Sequence, residues 1–353
     1  MIPFFALDRQ FEQVGAECLE HTDRVLRSGQ FINGEYTKLL EEWLLVRTGA
    51  SCAILVHSGT QALELLGQVL RTDDLHKPKV LIPNLTFAAT ANAFIKAGYN
   101  LMFGDVDDCG IMLPYDRQEQ GFYMSCGVGL YGANPHPGVD VIDGAQSWLN
   151  GYMNTDFMAI SFDPTKNLSA SGNGGAILLN DHLTAANLRR LQNNNKGPRF
   201  NLDFGMPSTN SRMSEIDCAH ILVRTKYIDV WQSRRRSIAE YWNEQFKNLP
   251  LRSLIELTTV SGNIKKHQIQ KYVVRTDKRD ELQDYLKDKG IETRVHYEKA
   301  LSELPIYEGY VTVTSGVENS IRLASEVLSL PIYPELTDAE VEHISNAVKR
   351  FYE

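Results

Sequence analysis

Cysteine is scarce and scattered in this chain. Cys18, Cys52, Cys109, Cys126 and Cys218 are odd in number and never stand as C-x-x-C. That argues against a zinc ribbon or a disulfide framework and leaves reduced, partly buried thiols as the reading. Long apolar runs are also missing: no stretch approaches the ~20 residues a membrane span requires. Met1-Ile-Pro-Phe-Phe-Ala-Leu7 is too short in its apolar part for a secretory signal, so the cytoplasm is the expected compartment. Positive charge is in deficit, with a formal net charge of -8, which disfavours nucleic acid as a partner. The basic run Arg234-Arg-Arg236 falls inside a helical pattern, where it reads as a solvated or ion-paired face. The nine histidines form no H-E-x-x-H or other zinc spacing, so no metal is expected. There is no Walker-type loop, and Gly172-x-Gly174 does not open a helix after a strand, so a dinucleotide fingerprint is absent. Repeats, low-complexity tracts and disordered linkers are lacking too.

What is present is ordinary globular material, 43% hydrophobic and 23% charged over 353 residues, long enough for two lobes with separate cores. Phe11–Ser28 carries Phe11, Val14, Cys18 and Val25 at helical spacing before Gly29, and Thr37–Thr48 reads as a second helix. Strands then alternate with helices: Cys52–Val56, helix Gln61–Leu70, Lys79–Pro83, helix Phe87–Lys96. Further strands follow near Leu101–Asp105, Gly121–Val128, Val139–Asp143, Met158–Phe162 and Gly175–Leu179. Several are continuous apolar runs, the pattern of strands covered on both faces. The alternation implies an α/β layered domain that binds ligands at the carboxyl ends of its strands. One long helix is expected over Ser214–Phe246, opening on a Ser214 N-cap. A smaller α/β unit then runs through Gln270–Arg275, Lys278–Asp288 and Glu292–His296. It closes with a helix to Phe351 behind the capping box Thr337-Asp-Ala-Glu340. The stretches Gln192–Asn210 and Leu301–Thr314 read as loops suited to a binding site.

Three segments carry chemistry. Ser58-Gly59-Thr60 joins a buried-strand pattern to an amphipathic helix. It reads either as a plain N-cap or as an anion cradle, with free helix N–H groups, a close approach at Gly59 and the hydroxyls of Ser58 and Thr60 as donors. Asp143 ends the apolar run Val139-Asp-Val-Ile-Asp143. It is either a loop-capping Asp or the partner of a cation, such as a protonated pyridine nitrogen. Gln146 either donates to that ring's phenolic oxygen or lies on the surface. Lys166, in Ser161-Phe-Asp-Pro-Thr-Lys-Asn-Leu168, has an apolar neighbourhood that suits an amine kept partly neutral for condensation with an aldehyde. A surface lysine is the ordinary alternative. Phe87 either stacks on a planar ring or packs in the core. An amine, a carboxylate and an anion cradle in this order suit pyridoxal phosphate chemistry.

The chain resembles, over nearly its full length, the fold-type-I aminotransferases of the DegT/DnrJ/EryC1/StrS group, which aminate keto-sugars attached to nucleotides. The matching segments are Ser28-Gly-Gln-Phe-Ile-Asn-Gly34, Ser58-Gly-Thr-Gln-Ala-Leu63, Pro83-Asn-Leu-Thr-Phe-Ala-Ala-Thr90, Asp143-Gly-Ala-Gln146, Ser161–Leu168 with Gly172-Asn-Gly-Gly175, Asn210-Ser-Arg-Met-Ser-Glu215, Gly290-Ile-Glu-Thr-Arg-Val-His-Tyr297 and Leu328-Ser-Leu-Pro331. The resemblance implies a three-layer α/β/α large domain, residues 1–235, that binds pyridoxal 5'-phosphate on a mostly parallel sheet. A smaller C-terminal α/β domain, residues 236–353, follows. It implies Lys166 as the Schiff-base lysine, Asp143 as the pyridine partner, Gln146 beside the phenolate, and Ser161, Gly59 and Thr60 on the phosphate. Phe87 would stack on the ring. Asn210, with Arg212, would be lent by the other subunit of a homodimer, and His296 would lie at the substrate entrance. The reaction implied is ping-pong transfer from an amino acid, with L-glutamate the expected donor, to a keto-sugar nucleotide. A cyclitol or other non-nucleotide ketone as acceptor, and a catalytically silent cofactor-binding regulator, are the alternatives. The chain departs from the family pattern at His57, at Trp148 and after Tyr297, where Glu298-Lys-Ala-Leu-Ser302 replaces a proline and a histidine.

Overall fold

The computed structural model describes residues 1–71, 77–151, 155–196, 207–255, 267–314 and 316–353. In its first half, helices α1 (Leu7–Ser28) and α2 (Glu35–Thr48) precede β1 (Cys52–Val56), α3 (Gly59–Leu70), β2 (Lys79–Pro83), α4 (Ala88–Lys96) and β3 (Asn100–Gly104). Then come the short α5 (Arg117–Gln120), β4 (Met124–Val128), β5 (Val141–Asp143), β6 (Phe157–Ser161), β7 (Gly175–Leu179) and α6 (His182–Leu191). The second half contains α7 (Glu215–Thr225), α8 (Ile228–Phe246), β8 (Arg252–Ser253), β9 (Tyr272–Arg275), α9 (Arg279–Asp288), β10 (Val311–Thr314), α10 (Glu318–Glu326), β11 (Val327–Leu330) and α11 (Asp338–Tyr352).

Eight strands form one sheet in the order β1-β7-β6-β5-β4-β2-β3-β10. Only β7 runs against its neighbours. Successive residues of each strand enter opposite cores, as the pleat requires. Ile54, Val56, Ile177 and Leu179 pack with Leu63 and Leu66 of α3, Phe94 of α4 and Leu188 of α6. Ala53, Leu55, Ala176 and Leu178 pack with Val14 of α1, Leu40 and Leu44 of α2, and Ile221 of α7. This is a three-layer α/β/α unit, and the unbroken apolar runs are strands covered on both faces. A second sheet, β11-β9-β8, is antiparallel. Its core joins Ile238, Trp242 and Phe246 of α8 to Leu282, Leu286, Ile344 and Val348, with Ile2 and Ala6 contributed by the N-terminal segment. Strand β10, from the stretch that reads as loop, returns to pair with β3 in the large sheet.

The single helix expected over Ser214–Phe246 is two. Ser214 does cap it, its Oγ accepting from Asp217 N at 3.1 Å. At its far end the Thr225 hydroxyl takes the Leu222 carbonyl at 2.7 Å. Lys226 N and Tyr227 N turn back to the carbonyls of Val223 and Arg224. A side chain competing for a backbone acceptor and a tightened last turn end α7. The segment expected as strand Glu292–His296 forms no strand; Arg294 is bridged to Ser329, and Glu292 N donates to the Ile2 carbonyl at 2.9 Å. Two of the resembling segments meet structurally at Glu215. Buried, it accepts from the N–H groups of Gly34, Tyr36 and Thr37 at 2.9, 2.8 and 2.9 Å and so caps α2. A Cβ at Gly34 would lie 2.5 Å from its Oε2, which accounts for glycine there.

Candidate active site

Every parallel strand near the middle of the sheet ends at one edge. β7, being reversed, begins at that same edge, with Gly175 opposite both Val56 and Ser161. Around it lies a cavity of about 280 Å³. Ser58, Gly59, Thr60, Phe87, Asp143, Gln146, Ser161, Lys166 and His296, all singled out from the sequence, line it. Asn210 and Arg212 do not. Asn210 is exposed, and its Oδ1 accepts from Arg212 Nε and Nη2 at 3.2 and 3.0 Å.

The turn before α3 is an N-cap, one of the two readings the sequence allowed. Ser58 Oγ caps the helix, accepting from Gln61 N at 3.2 Å. The N–H groups of Gly59 and Thr60 stand in the first turn, where a helix presents unpaired donors and the positive end of its dipole. Close approach explains both glycines. A Cβ on Gly59 would sit 2.9 Å from Ser161 Cβ, and one on Gly175 would sit 2.4 Å from Ser58 C and 2.6 Å from Gly59 N.

Asp143 closes β5 and is 7% exposed. Burial raises its pKa. Donors from Ala145 N at 3.1 Å and Thr90 Oγ1 at 2.8 Å, and the charge of Lys166, oppose the rise. Lys166 is pushed the other way, its pKa lowered by burial against the pull of Asp143 and Asp163. The amine therefore reaches its neutral form at lower pH than a surface lysine, as nucleophilic chemistry at nitrogen needs. Its loop is tied down by neighbours: Asn167 Nδ2 donates to Gln232 Oε1 and to the Gln268 carbonyl, both at 2.9 Å. Gln146 Oε1 accepts from Tyr131 N at 2.9 Å, which leaves the amide nitrogen to donate elsewhere. Phe87 is 57% exposed, so the core-packing alternative does not hold; its ring lies 5.8 Å from that of Tyr297. His296 Nδ1 lies 2.8 Å from Ser329 Oγ, and burial with Lys271, Arg294 and Lys166 nearby takes its pKa down to about 2. It is neutral at ordinary pH.

Sequence reasoning assigned no role to Tyr297, Thr90 or Lys271. Tyr297 lines the cavity, and burial raises the pKa of its phenol, which is hydrogen-bonded to Gln146. Its place beside His296 was a usable signal. Thr90 falls one turn after Phe87 on α4, and its bond to Asp143 spans 53 residues, beyond the reach of local pattern. Lys271 precedes an apolar strand, a position where lysine ordinarily faces water.

An edge-of-sheet site that gathers a desolvated amine, a buried carboxylate and a helix N-terminus defines an aminotransferase-like class of α/β fold. The DegT/DnrJ/EryC1/StrS aminotransferase family model matches residues 12–119 and 149–349, and the chain belongs to that family. It is 31% identical to the dTDP-3-amino-3,6-dideoxy-alpha-D-galactopyranose transaminase of Aneurinibacillus thermoaerophilus, over 99% of each chain. It is 28% identical to a pleiotropic regulatory protein of Geobacillus stearothermophilus, over 99% of this chain and 98% of that one. The crystal structure of a DegT DnrJ EryC1 StrS aminotransferase from Brucella abortus superposes with a TM-score of 0.89 at 26% identity, covering 100% of both chains. Among the described residues no helix is long and apolar enough to cross a membrane, and no cluster of His, Cys, Asp and Glu is arranged to hold a metal.

Proposed function

We propose that the chain uses pyridoxal 5'-phosphate to move an amino group from an amino acid, L-glutamate, to a keto-sugar nucleotide. The meeting of Lys166, Asp143 and the Ser58–Thr60 turn around one cavity carries the reading. Its residues fit that cofactor: a cradle that a Cβ would fill, a buried carboxylate in want of a cation, and an amine with a lowered pKa. Bound there, the cofactor supplies an aldehyde that takes nitrogen from the donor and a ring that draws off the electron pair of the breaking C–H bond.

The chain's own residues do the rest. Gly59 N, Thr60 N and the Ser161 hydroxyl would hold the phosphate, and Asp143, its Oδ2 fixed by Thr90, would keep the ring nitrogen protonated. Gln146, its oxygen occupied by Tyr131 and its amide bonded to the Tyr297 phenol, would have its remaining N–H for the phenolic oxygen. Phe87, exposed at the cavity, would cover the ring. Lys166 Nζ, its pKa lowered by burial, would be the amine that holds the aldehyde, and when free it would take up and return a proton as general base and acid. Neutral His296 at the entrance offers the acceptor a hydrogen bond without charge.

Asn210 and Arg212 belong, in this reading, to the neighbouring site of a homodimer. Exposed Phe11, Leu19 and Leu26 on α1 and Phe31 beyond it supply apolar surface for such an interface. Residues 1–235 act as the cofactor lobe and 236–353 as the small lobe, except that Val311–Thr314 returns to the large sheet and Ile2 and Ala6 pack in the small core. The relatives named as sugar-nucleotide transaminases support the acceptor class.

The test is Lys166→Ala. Turnover should fall by about 10²–10⁴-fold or more, as for loss of a positioned acid–base. Borohydride should fix cofactor mass on the peptide holding Lys166 in the native protein and not in the variant. Turnover that survives in Lys166→Ala overturns the mechanism. Failure of a nucleoside diphosphate to compete with the acceptor would instead favour a non-nucleotide ketone.

A further inference from the structure

The cavity contains a second buried amine that this reading leaves unused. Lys271 is 6% exposed and lines the same space as Lys166. It is held there by a backbone zipper: Gln270 N and Lys271 N both donate to the Tyr131 carbonyl, at 3.1 and 3.2 Å, and Gln268 N donates to the Gly132 carbonyl at 2.9 Å. The zipper is tight, since a Cβ on Gly132 would lie 2.8 Å from Ile269 N. Gln270 Nε2 also donates to the Thr165 carbonyl at 3.2 Å, which fastens the Lys271 segment to the Lys166 loop.

Lys271 Nζ donates to Gln270 Oε1, a neutral acceptor. Among the described residues no carboxylate lies within ion-pair distance of it. Among the described residues the charged groups that act on it are Lys166, Arg235 and Arg294, all of its own sign, and the carboxylate of Asp163. His296, also beside it, is neutral. Arg294, at the rim, is half exposed, stacks over Phe4 and Phe5 at 5.2 Å from each ring, and reaches Glu292 at 3.0 Å. A desolvated ammonium with so little countercharge is costly unless an anion joins it. Its pKa is accordingly pushed well below the ordinary value by burial.

Resting on the aminotransferase reading, we infer that Lys271 and Arg294 form an anion subsite that receives a carboxylate of the substrate inside the cavity where Lys166 reacts. Two molecules can bring that group: the amino donor, through a carboxylate every amino acid carries, or an acceptor whose sugar is an acid. The chemistry recognised is the same. Because the empty site disfavours the ammonium and a bound carboxylate restores it, binding draws a proton from solvent whenever the pH lies above the free-site pKa.

The experiment uses the cofactor-loaded protein, its absorption band recorded first; absence of that band indicts the aminotransferase reading and not the subsite. Glutarate, a dicarboxylate without an amine, is titrated calorimetrically at mildly alkaline pH in two buffers of different ionisation enthalpy. In the second arm, the aminated form of the cofactor is titrated with acidic and with neutral keto-sugar nucleotides. If the donor supplies the carboxylate, Lys271→Met weakens glutarate by roughly 10- to 100-fold, as for one hydrogen bond to a charged group, abolishes proton uptake and leaves acceptor preference alone. If the acceptor supplies it, glutarate is unaffected and the preference for the acidic sugar collapses. Unchanged binding in both arms overturns the subsite. Arg294→Gln, at the exposed rim, should weaken the same arm to a smaller degree. It decides the matter on its own, by weakening one arm or neither, should Lys271→Met lose the cofactor band.

Discussion

One methyl group at Gly175 should dismantle the proposed phosphate cradle while leaving the sheet standing. Its Cβ would approach Ser58 C to 2.4 Å, Gly59 N to 2.6 Å and Ser58 O to 2.7 Å, all backbone atoms that cannot rotate aside. Ordinary contact begins near 3.4 Å, so the turn must retreat by about 1 Å. Overpacking of this kind costs roughly 1–3 kcal/mol of stability. Donors displaced by that distance lose hydrogen bonds to a charged group, at roughly 1.5–3 kcal/mol each, or about ten- to hundred-fold in affinity for one lost bond. At Gly59 the closest approach is 2.9 Å, to a Cβ of Ser161, and the movement needed is about half as large. Pyridoxamine phosphate is the ligand of choice, because it forms no bond to Lys166 and its affinity reads the cradle alone. Gly175→Ala should bind it at least ten-fold more weakly than the native protein, with Gly59→Ala between the two. Native affinity in Gly175→Ala, in a protein that still unfolds cooperatively, would refute the assignment of this turn to the phosphate.

Other consequences are open to measurement. Asp143 has a raised folded pKa, so the folded state holds its proton more tightly than the unfolded state. Stability of the cofactor-free protein should therefore fall as pH rises from the ordinary Asp value of 3.8 through the raised value, and Asp143→Asn should flatten that part of the profile. Thermal midpoints of both proteins over acid pH give the comparison, and parallel profiles would contradict it. Arg9 and Glu340 pair at 2.7 Å, and the bond holds the Glu340 pKa down to about 2. That contribution is present above pH 4.5 and is lost as pH falls towards 2, amounting to about 1–2 kcal/mol after solvent screening. Glu340→Gln should lose it at neutral pH and little below pH 2, by chemical denaturation. Glu215→Ala strands three helix-terminal N–H groups and should cost about 2–4 kcal/mol in the same assay; a loss under 0.5 kcal/mol would deny Glu215 its capping role.

Local pattern carried a large part of the fold, for identifiable reasons. The unbroken apolar runs in Cys52–Val56 and Lys79–Pro83, the Gly29 stop on α1 (φ 65) and the Thr337–Glu340 capping box are encoded within a few residues of where they act. The break after Thr225 hangs on one hydroxyl choosing a carbonyl, which helical periodicity does not register. The pairing of Val311–Thr314 with β3 joins residues about 210 positions apart. At the site the residues with distinctive neighbours, Lys166, Asp143 and Ser58–Thr60, were readable. Lys271 was not: burial, not sequence context, separates it from a surface lysine. Asn210 and Arg212 stand outside the cavity of their own chain, where no local signal would direct them.

The returning strand β10 sets an order of events during synthesis. Until Val311–Thr314 leave the ribosome, β3 stays uncapped, with backbone donors and acceptors facing water along a hydrophobic ribbon. Such a ribbon invites pairing with neighbouring nascent chains. A fragment cut off before residue 311 keeps that β3 edge exposed and should associate more readily than the full chain.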